Sequence, residues 1–405
     1  MNKINNSFGT SVFGQLILLL PKNRIYTVIM QHKADHYTKK FKTWDHLIVM
    51  LFATLSNCSA LREIESGIAG FHTKLLHLGM SWMPKRSTLS DANARRSSEV
   101  FESIYKAIYK QVRPFLSDSY PNNQKWMQKL FLVDSTTITL FKDIMKACGR
   151  VPANGKRKGG VKIHVGMHLS ENTPSLVCIT KSATNDKRFM MKFKYMDPET
   201  ILVFDKAYVN YALYNHWTQT QVTYVTRLHQ RSVIGIQQEL VISKEEQSKG
   251  IYKDQIIELG HSTQKDKVKC RLIYFYDKEK NRVLKFITND LEMKASRVAD
   301  IYKQRWQIEL LFKRMKQNLQ LSNFLGDNEN AIRIQIWCSL IADLLLTLIR
   351  KGLKKKKAYS NTAGLVRIHL MNYVNIKQLL LNPCDCSIFR GYENRQMTMK
   401  LNIPP

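Results

Sequence analysis

Ile301-Tyr302-Lys303-Gln304-Arg305-Trp306-Gln307-Ile308-Glu309-Leu310-Leu311-Phe312-Lys313-Arg314-Met315-Lys316 is the stretch on which the fold turns. It lies inside a run, Met293 to Leu321, that contains neither proline nor glycine, so one long helix is predicted there. At about 100° per residue, Tyr302, Arg305, Glu309 and Lys316 share a stripe roughly 60° wide. Ile301, Ile308, Phe312, Met315 and Leu319 form an adjacent apolar stripe able to dock the helix on a sheet. A helix seated in that way aims one carboxylate, two cations and a phenol at one place. A solvated charged face is the plainer alternative, although such faces more often mix charges with small polar residues. Trp306 reads as core rather than as a base-stacking surface.

The sheet is legible upstream. Lys129 to Leu140, Val161 to Leu169, Ser175 to Lys181 and Ile201 to Phe204 are apolar, β-branched runs separated by turn residues, with a helix candidate at 187–196. This order predicts a mixed α/β sheet. Asp134 sits in Phe131-Leu132-Val133-Asp134-Ser135-Thr136-Thr137, flanked by apolar or β-branched neighbours, where a charge must be paired or liganded. Asp205 ends Ile201-Leu202-Val203-Phe204, at the edge where α/β sheets open their binding crevices. Two such aspartates supply the hard oxygen ligands that magnesium or manganese prefers. Alternatively an aspartate caps the next turn, and for Asp205 a helix beginning near Ala207 offers itself.

The charge points to a polyanionic partner. There are 63 Lys and Arg against 32 Asp and Glu, a formal +31, and the pI is near 9.8. Nucleic acid leads, because such a surplus concentrates phosphate backbones at the surface. An anionic membrane is less suited. The longest apolar stretch, Ile334 to Ile349, is about one turn short of a span and carries Gln335 and Asp343, so it reads as a buried helix. Val12 to Leu20 is shorter and no small-residue cleavage site follows it. The expectation is a soluble, unexported protein without membrane contact. Seven scattered cysteines suit a reducing compartment, and Cys384 with Cys386 alone makes a weak metal motif. His164 and His168 share one face of a strand and read as packing or phosphate-facing side chains. No P-loop motif is present.

Five segments are expected. Residues 1–125 read as a small helical domain with apolar positions at helical spacing in Trp44, Leu47, Ile48, Leu51 and Leu55. Within it, Pro84 breaks the chain, Ser87 is placed to cap a new helix, and Arg86, Arg95 and Arg96 give that helix a basic face. Such a helix suits a DNA groove, or is simply solvated. Residues 126–220 form the first part of the α/β core. Its first two strands are joined by a glycine-rich basic loop whose Lys156, Arg157 and Lys158 suit phosphate. Residues 221–290 read as a β-rich insertion, 291–352 return to the core, and 353–405 form a basic C-terminal region.

The spacing of Tyr302, Arg305, Glu309 and Lys316 resembles the Y-R-E-K signature of the DDE transposases of the fourth insertion-sequence family. Leu132-Val133-Asp134-Ser135-Thr136 and Phe204-Asp205-Lys206-Ala207-Tyr208 resemble that family's two aspartate blocks. Phe41-Lys42-Thr43-Trp44-Asp45-His46-Leu47 and Arg86-Ser87-Thr88-Leu89-Ser90-Asp91-Ala92-Asn93 are similar to the helical domain ahead of its catalytic domain. The likeness covers most of residues 10–350. It implies a ribonuclease-H-like catalytic domain with a β-rich insertion, preceded by a small helical domain. It implies that Asp134, Asp205 and Glu309 hold two Mg2+ (or Mn2+) ions that activate water and then a DNA 3′-hydroxyl for in-line attack at phosphorus. Tyr302, Arg305 and Lys316 would contact phosphates. The implied partners are double-stranded DNA, as terminal inverted repeats and target, and a second copy of the chain in a synaptic homodimer.

Two departures stand out. Ala207 replaces a glycine common in relatives, and no tryptophan lies between 221 and 290 to stack a flipped base, leaving Tyr274, Phe275, Tyr276 or Phe286 for that role. Two other readings compete: a nuclease that cuts without joining, and a transposase-derived DNA-binding protein without catalysis. The presence of all three carboxylates argues against the latter.

Overall fold

A computed structural model describes residues 10–71, 75, 78–80, 82–118, 120–139, 160–182, 186–260, 267–319, 321, 324–353 and 357–384. The chain forms two compact units, one from Met1–Phe115, Arg314–Gly326 and Asn330–Pro405, the other from Leu116–Lys313 and Asp327–Glu329. This differs from the five consecutive segments expected. The C-terminal region and the last part of the Glu309 helix belong with the N-terminal helices.

The helical unit opens with α1 (Val12–Ile17), α2 (Lys22–Gln31), α3 (Thr43–Ser56), α4 (Leu61–Gly70), α5 (Arg86–Arg95) and α6 (Ser98–Val112). Every residue of α3 from Thr43 to Leu55 is buried, so it is the core helix around which the others pack. It stops at Asn57, whose left-handed φ of 62° suits the short amide side chain. The start of α5 is Arg86, with Lys85 as an extended N-cap, so Ser87 lies inside the helix rather than capping it.

The second unit holds β1 (Leu130–Thr139), β2 (Gly160–His168), β3 (Leu176–Lys181), α7 (Asp186–Met190), β4 (Ile201–Phe204), α8 (Tyr211–Gln219) and β5 (Thr223–Arg227). It continues through β6 (Ile234–Glu239), α9 (Lys244–Ser248), β7 (Ile251–Leu259), β8 (Val268–Asp277), β9 (Arg282–Thr288), α10 (Ala295–Lys303) and α11 (Trp306–Asn318), the last of which runs on into the helical unit. The described strands make one mixed sheet in the order β3-β2-β1-β4-β5-β9-β8-β7-β6. β1, β2 and β3 are antiparallel neighbours, whereas β1, β4 and β5 run parallel. This is the ribonuclease-H-like arrangement expected. β5 belongs to that core rather than to the insertion, and β9 pairs with it, so the inserted strands extend the same sheet. β6 escapes a sequence reading because Ile234 to Glu239 is almost wholly exposed and shows no apolar alternation.

The sheet core gathers Phe131, Val133, Leu202, Phe204, Tyr214, Trp217 and Tyr224, all buried. Burying each large side chain contributes about 1.5–3 kcal/mol. Trp217 also satisfies its indole N–H on the Phe193 carbonyl at 2.8 Å. Gly166 on β2 admits these rings, for a Cβ there would stand 2.6 Å from Phe131.

The predicted single helix is two. α10 and α11 are separated at Gln304–Arg305, where the backbone tightens to three-residue spacing: Gln304 N–H bonds the Ile301 carbonyl and Arg305 N–H that of Tyr302, both at 3.1 Å. No proline or glycine marks the break.

The helical unit is completed by α12 (Glu329–Lys351), α13 (Tyr359–Ile368) and α14 (Ile376–Leu381). By length and composition α12 could cross a membrane, yet 89% of its apolar window is buried inside the protein. Its polar residues have partners. Gln335 accepts from Leu325 N–H at 2.9 Å, and Asp343 takes Arg314 at 2.7 and 2.9 Å. The chain then returns to its beginning, with Val12 and Phe13 N–H groups bonding the Asn372 and Leu370 carbonyls.

Candidate active site

Parallel register builds the site. Leu132 on β1, Val203 on β4 and Val225 on β5 form one cross-sheet row, and two residues further on stand Asp134, Asp205 and Arg227. Alternation of side chains puts all three on the same face as that row. Glu309 arrives on α11, in the first turn after the break.

Arg305, in the break, joins the carboxylates. Its Nη1 donates to Asp134 at 2.6 Å and its Nη2 to Glu309 at 2.5 Å, and the Asp134 and Arg305 side chains are each only 15% exposed. Asp134 also accepts the Ser135 N–H at 2.8 Å. Burial pushes the Asp134 carboxyl up to about 6 despite Arg305 and the Ser135 N–H, and the charges of Asp205 and Glu309 add to the rise. The three acids therefore feel one another. Asp205 accepts from Arg227 at 2.7 Å and from the Tyr302 hydroxyl at 3.3 Å. Burial pushes its carboxyl upward, but the Arg227 hydrogen bond and charge, with Arg305, outweigh this and hold it below the ordinary value. Asp205 precedes a short turn at Lys206–Tyr208 without a side-chain capping bond, so the capping alternative does not describe it.

Tyr302 lies between the cations. The Arg227 and Arg305 guanidiniums stand 5.7 and 5.6 Å from its ring centroid, and its other neighbour is Phe286 at 4.9 Å. Burial pushes its phenol up to about 12. Among the described residues, the buried Nε atoms of both arginines have no hydrogen-bond partner. Arg227 has no place in the sequence reading. Its only signal is a cation closing a buried β-branched run, and its meaning depends on β5 lying beside β4.

Among the described residues, no three His, Cys, Asp or Glu side chains stand close enough to hold a metal ion as placed. The donor set nevertheless fits a divalent ion in kind: three carboxylates converge, their mutual repulsion is felt at Asp134, and guanidiniums now balance them.

The family profile described as "Transposase DDE domain" matches residues 125–345, more than half of the chain. The chain belongs to the transposase DDE domain family. A protein of Sinorhizobium fredii that carries a transposase name, y4zB, is 30% identical to the transposase over 269 residues, 65% of this chain and 71% of that one. A protein of Geobacillus stearothermophilus named for the transposase of insertion sequence element IS5377 is 25% identical over 264 residues, 65% and 68% of the two chains. One of Synechocystis, named for element IS4SA, is 27% identical over 271 residues, 65% and 71%. Residues 8–81 match a domain of unknown function (DUF4372).

The remaining sequence candidates of the transposase are distributed as follows. Lys316 is two turns beyond Glu309 on α11, and burial lowers its ammonium. Lys156, Arg157 and Lys158 lie outside the described residues. Arg86 is exposed and lines a cleft of about 820 Å³ with Ser59, Arg62, Ser87 and Ser90. Arg95 is also exposed and pairs with Asp91 at 2.8 Å. Arg96 is a correction: its side chain is 7% exposed, donates to the Phe41 carbonyl at 2.8 Å and faces Asp35, so it ties the helical unit together instead of reaching out. Trp306 is another, being 55% exposed with the Lys280 ammonium 5.9 Å from its ring; at about 100° per residue it lies on the side away from the Ile301–Ile308 stripe. Phe286 is buried under Tyr302 and has no face left for a base. His164 stacks on Phe189 and His168 meets the edge of Phe131, so both pack. Cys384 is exposed, and Cys386 lies outside the described residues.

Proposed function

We propose that this transposase is of the fourth insertion-sequence family, binds the terminal inverted repeats of its element, cuts there and joins the ends to target DNA by cut-and-paste transposition. Asp134, Asp205 and Glu309 are the proposed catalytic carboxylates and the ligands of two Mg2+ (or Mn2+) ions. When bound, those ions supply Lewis-acid activation of the attacking oxygen and neutralise the leaving one. The observation that carries the reading is the row of Asp134, Asp205 and Arg227 along the parallel strand ends, with Glu309 linked to Asp134 through Arg305.

The chain's own groups do the rest. Arg305 and Arg227 each keep an unspent Nε–H, which suits a forked grip on a phosphodiester oxygen pair. Tyr302 fixes Asp205 through its hydroxyl and offers a ring face to both cations. Catalysis comes from positioning the scissile phosphate and matching the charge developing on it. Lys316, the basic run at Lys156 to Lys158, and Arg86 and Arg95 with the neighbouring Arg62 are the proposed backbone contacts, with segment 1–125 as an end-binding domain. Two chains in a synaptic homodimer bring two ends together in the bacterial cytoplasm.

Cleavage of a labelled duplex carrying the element's end tests this, with Mg2+ or Mn2+, for wild type, Asp134→Asn, Asp205→Asn and Glu309→Gln. Each variant is expected to bind DNA as wild type does while cleavage falls at least about a hundredfold. Variants that cut normally would remove the three-carboxylate assignment. A wild type that binds ends without cutting would make the chain a DNA-binding derivative.

A further inference from the structure

Arg305 stands between two of the three carboxylates. It bridges Asp134 and Glu309, while Asp205 has its own cation in Arg227. A carboxylate oxygen already within hydrogen-bonding distance of a guanidinium cannot also face a divalent ion a few ångströms away without strong repulsion between the two cations. Arg305 also sits in the two-residue break between α10 and α11, outside both helices. One of its donors, Nε, is buried without a partner among the described residues, so the bridge does not use it.

We propose that Arg305 is an exchangeable resident cation: in the DNA-free protein it closes the Asp134–Glu309 pair against divalent ions, and a DNA phosphate draws it off and opens the pair. The inference rests on the reading of these carboxylates as the ion-binding set. The exchange is balanced in charge, since Arg305 trades two carboxylates for a phosphodiester and the carboxylates trade a guanidinium for an ion. Tyr302 flanks the guanidinium, whose centre stands 5.6 Å from its ring centroid. The consequence is positive linkage: DNA tightens ion binding, and ion tightens DNA binding by the same factor. A transposase regulated in this way does not assemble its cutting centre away from DNA.

The test is Mn2+ binding to the full chain, followed by electron paramagnetic resonance of free Mn2+, without and with a duplex carrying the element's end. Without DNA, Arg305→Gln is expected to bind Mn2+ at least about tenfold more tightly than wild type, within the roughly 5- to 150-fold span of ordinary coupling. Arg305→Lys, whose single ammonium cannot bridge both carboxylates, should fall between them and serves if the glutamine variant does not fold. Adding the duplex should tighten wild type and leave Arg305→Gln nearly unchanged. Equal affinity of wild type and both variants, or no response of wild type to DNA, overturns the exchange while leaving the ion site intact. If Mn2+ binding of wild type and Arg305→Gln ignores a further Asp134→Asn or Glu309→Gln change, the ion site itself is misassigned.

Discussion

Asp134→Asn should raise the stability of the DNA-free protein relative to wild type by an amount that grows with pH. The Asp134 carboxyl is raised from its ordinary 3.8 to about 6, chiefly by burial. The folded state therefore holds a proton that the unfolded chain has already released, and stability falls as pH rises from about 4 to about 6. Above that window the ionised carboxylate costs the fold about 3 kcal/mol, the free-energy equivalent of the difference between the two values. Asparagine keeps the shape and never ionises, but its single carbonyl oxygen replaces only one of the two acceptors, Oδ1 for Ser135 N–H and Oδ2 for Arg305, so the lost bond lowers its stability by an amount that does not change with pH. Integrating the linkage, the gain at about pH 8 exceeds that at about pH 5 by about 1 kcal/mol. For a unit of this size each kcal/mol moves Tm by about 2–4 °C, so the gain at about pH 8 is at most about 6–12 °C. Calorimetry of both proteins with EDTA, at the two pH values, measures it. A difference in Tm between variant and wild type that is the same at both pH values would refute a strained carboxylate at this position.

Two further outcomes follow from the helical unit. Arg314→Met leaves Asp343 wholly buried without its cation and should cost about 3–5 kcal/mol in urea unfolding, whereas Arg314→Met with Asp343→Leu should recover most of that loss; a single-variant cost below about 1 kcal/mol would contradict a buried pair. Arg86→Ala should lower the slope of log K against log salt for duplex DNA by about one with stability unchanged, while Arg96→Ala should destabilise by about 1–3 kcal/mol and leave the slope alone; fluorescence anisotropy across a salt series with parallel melting curves separates the two, and the reverse pattern would exchange their roles.

Local patterns carried much of this protein. The apolar, β-branched runs around Asp134 and before Asp205 predicted β1 and β4 nearly to the residue, because buried strands write themselves as short continuous stretches. The periodicity of residues 301–319 indicated a helix docked by one stripe, and the charge surplus indicated a polyanion. Tertiary structure decided the rest. Arg227 became part of the site only because β5 lies parallel to β4 in a register that sets it beside Asp205, a choice made by packing across the sheet. The break at Gln304–Arg305 has no breaker residue; it coincides with Arg305 reaching two carboxylates, one of them far away in sequence. Arg86, Arg95 and Arg96 look alike on paper, yet the fold turns the third inward. Helix and strand propensities extend over a few residues, whereas pairing register and the choice of partner for a buried charge are set by distant parts of the chain meeting in one core.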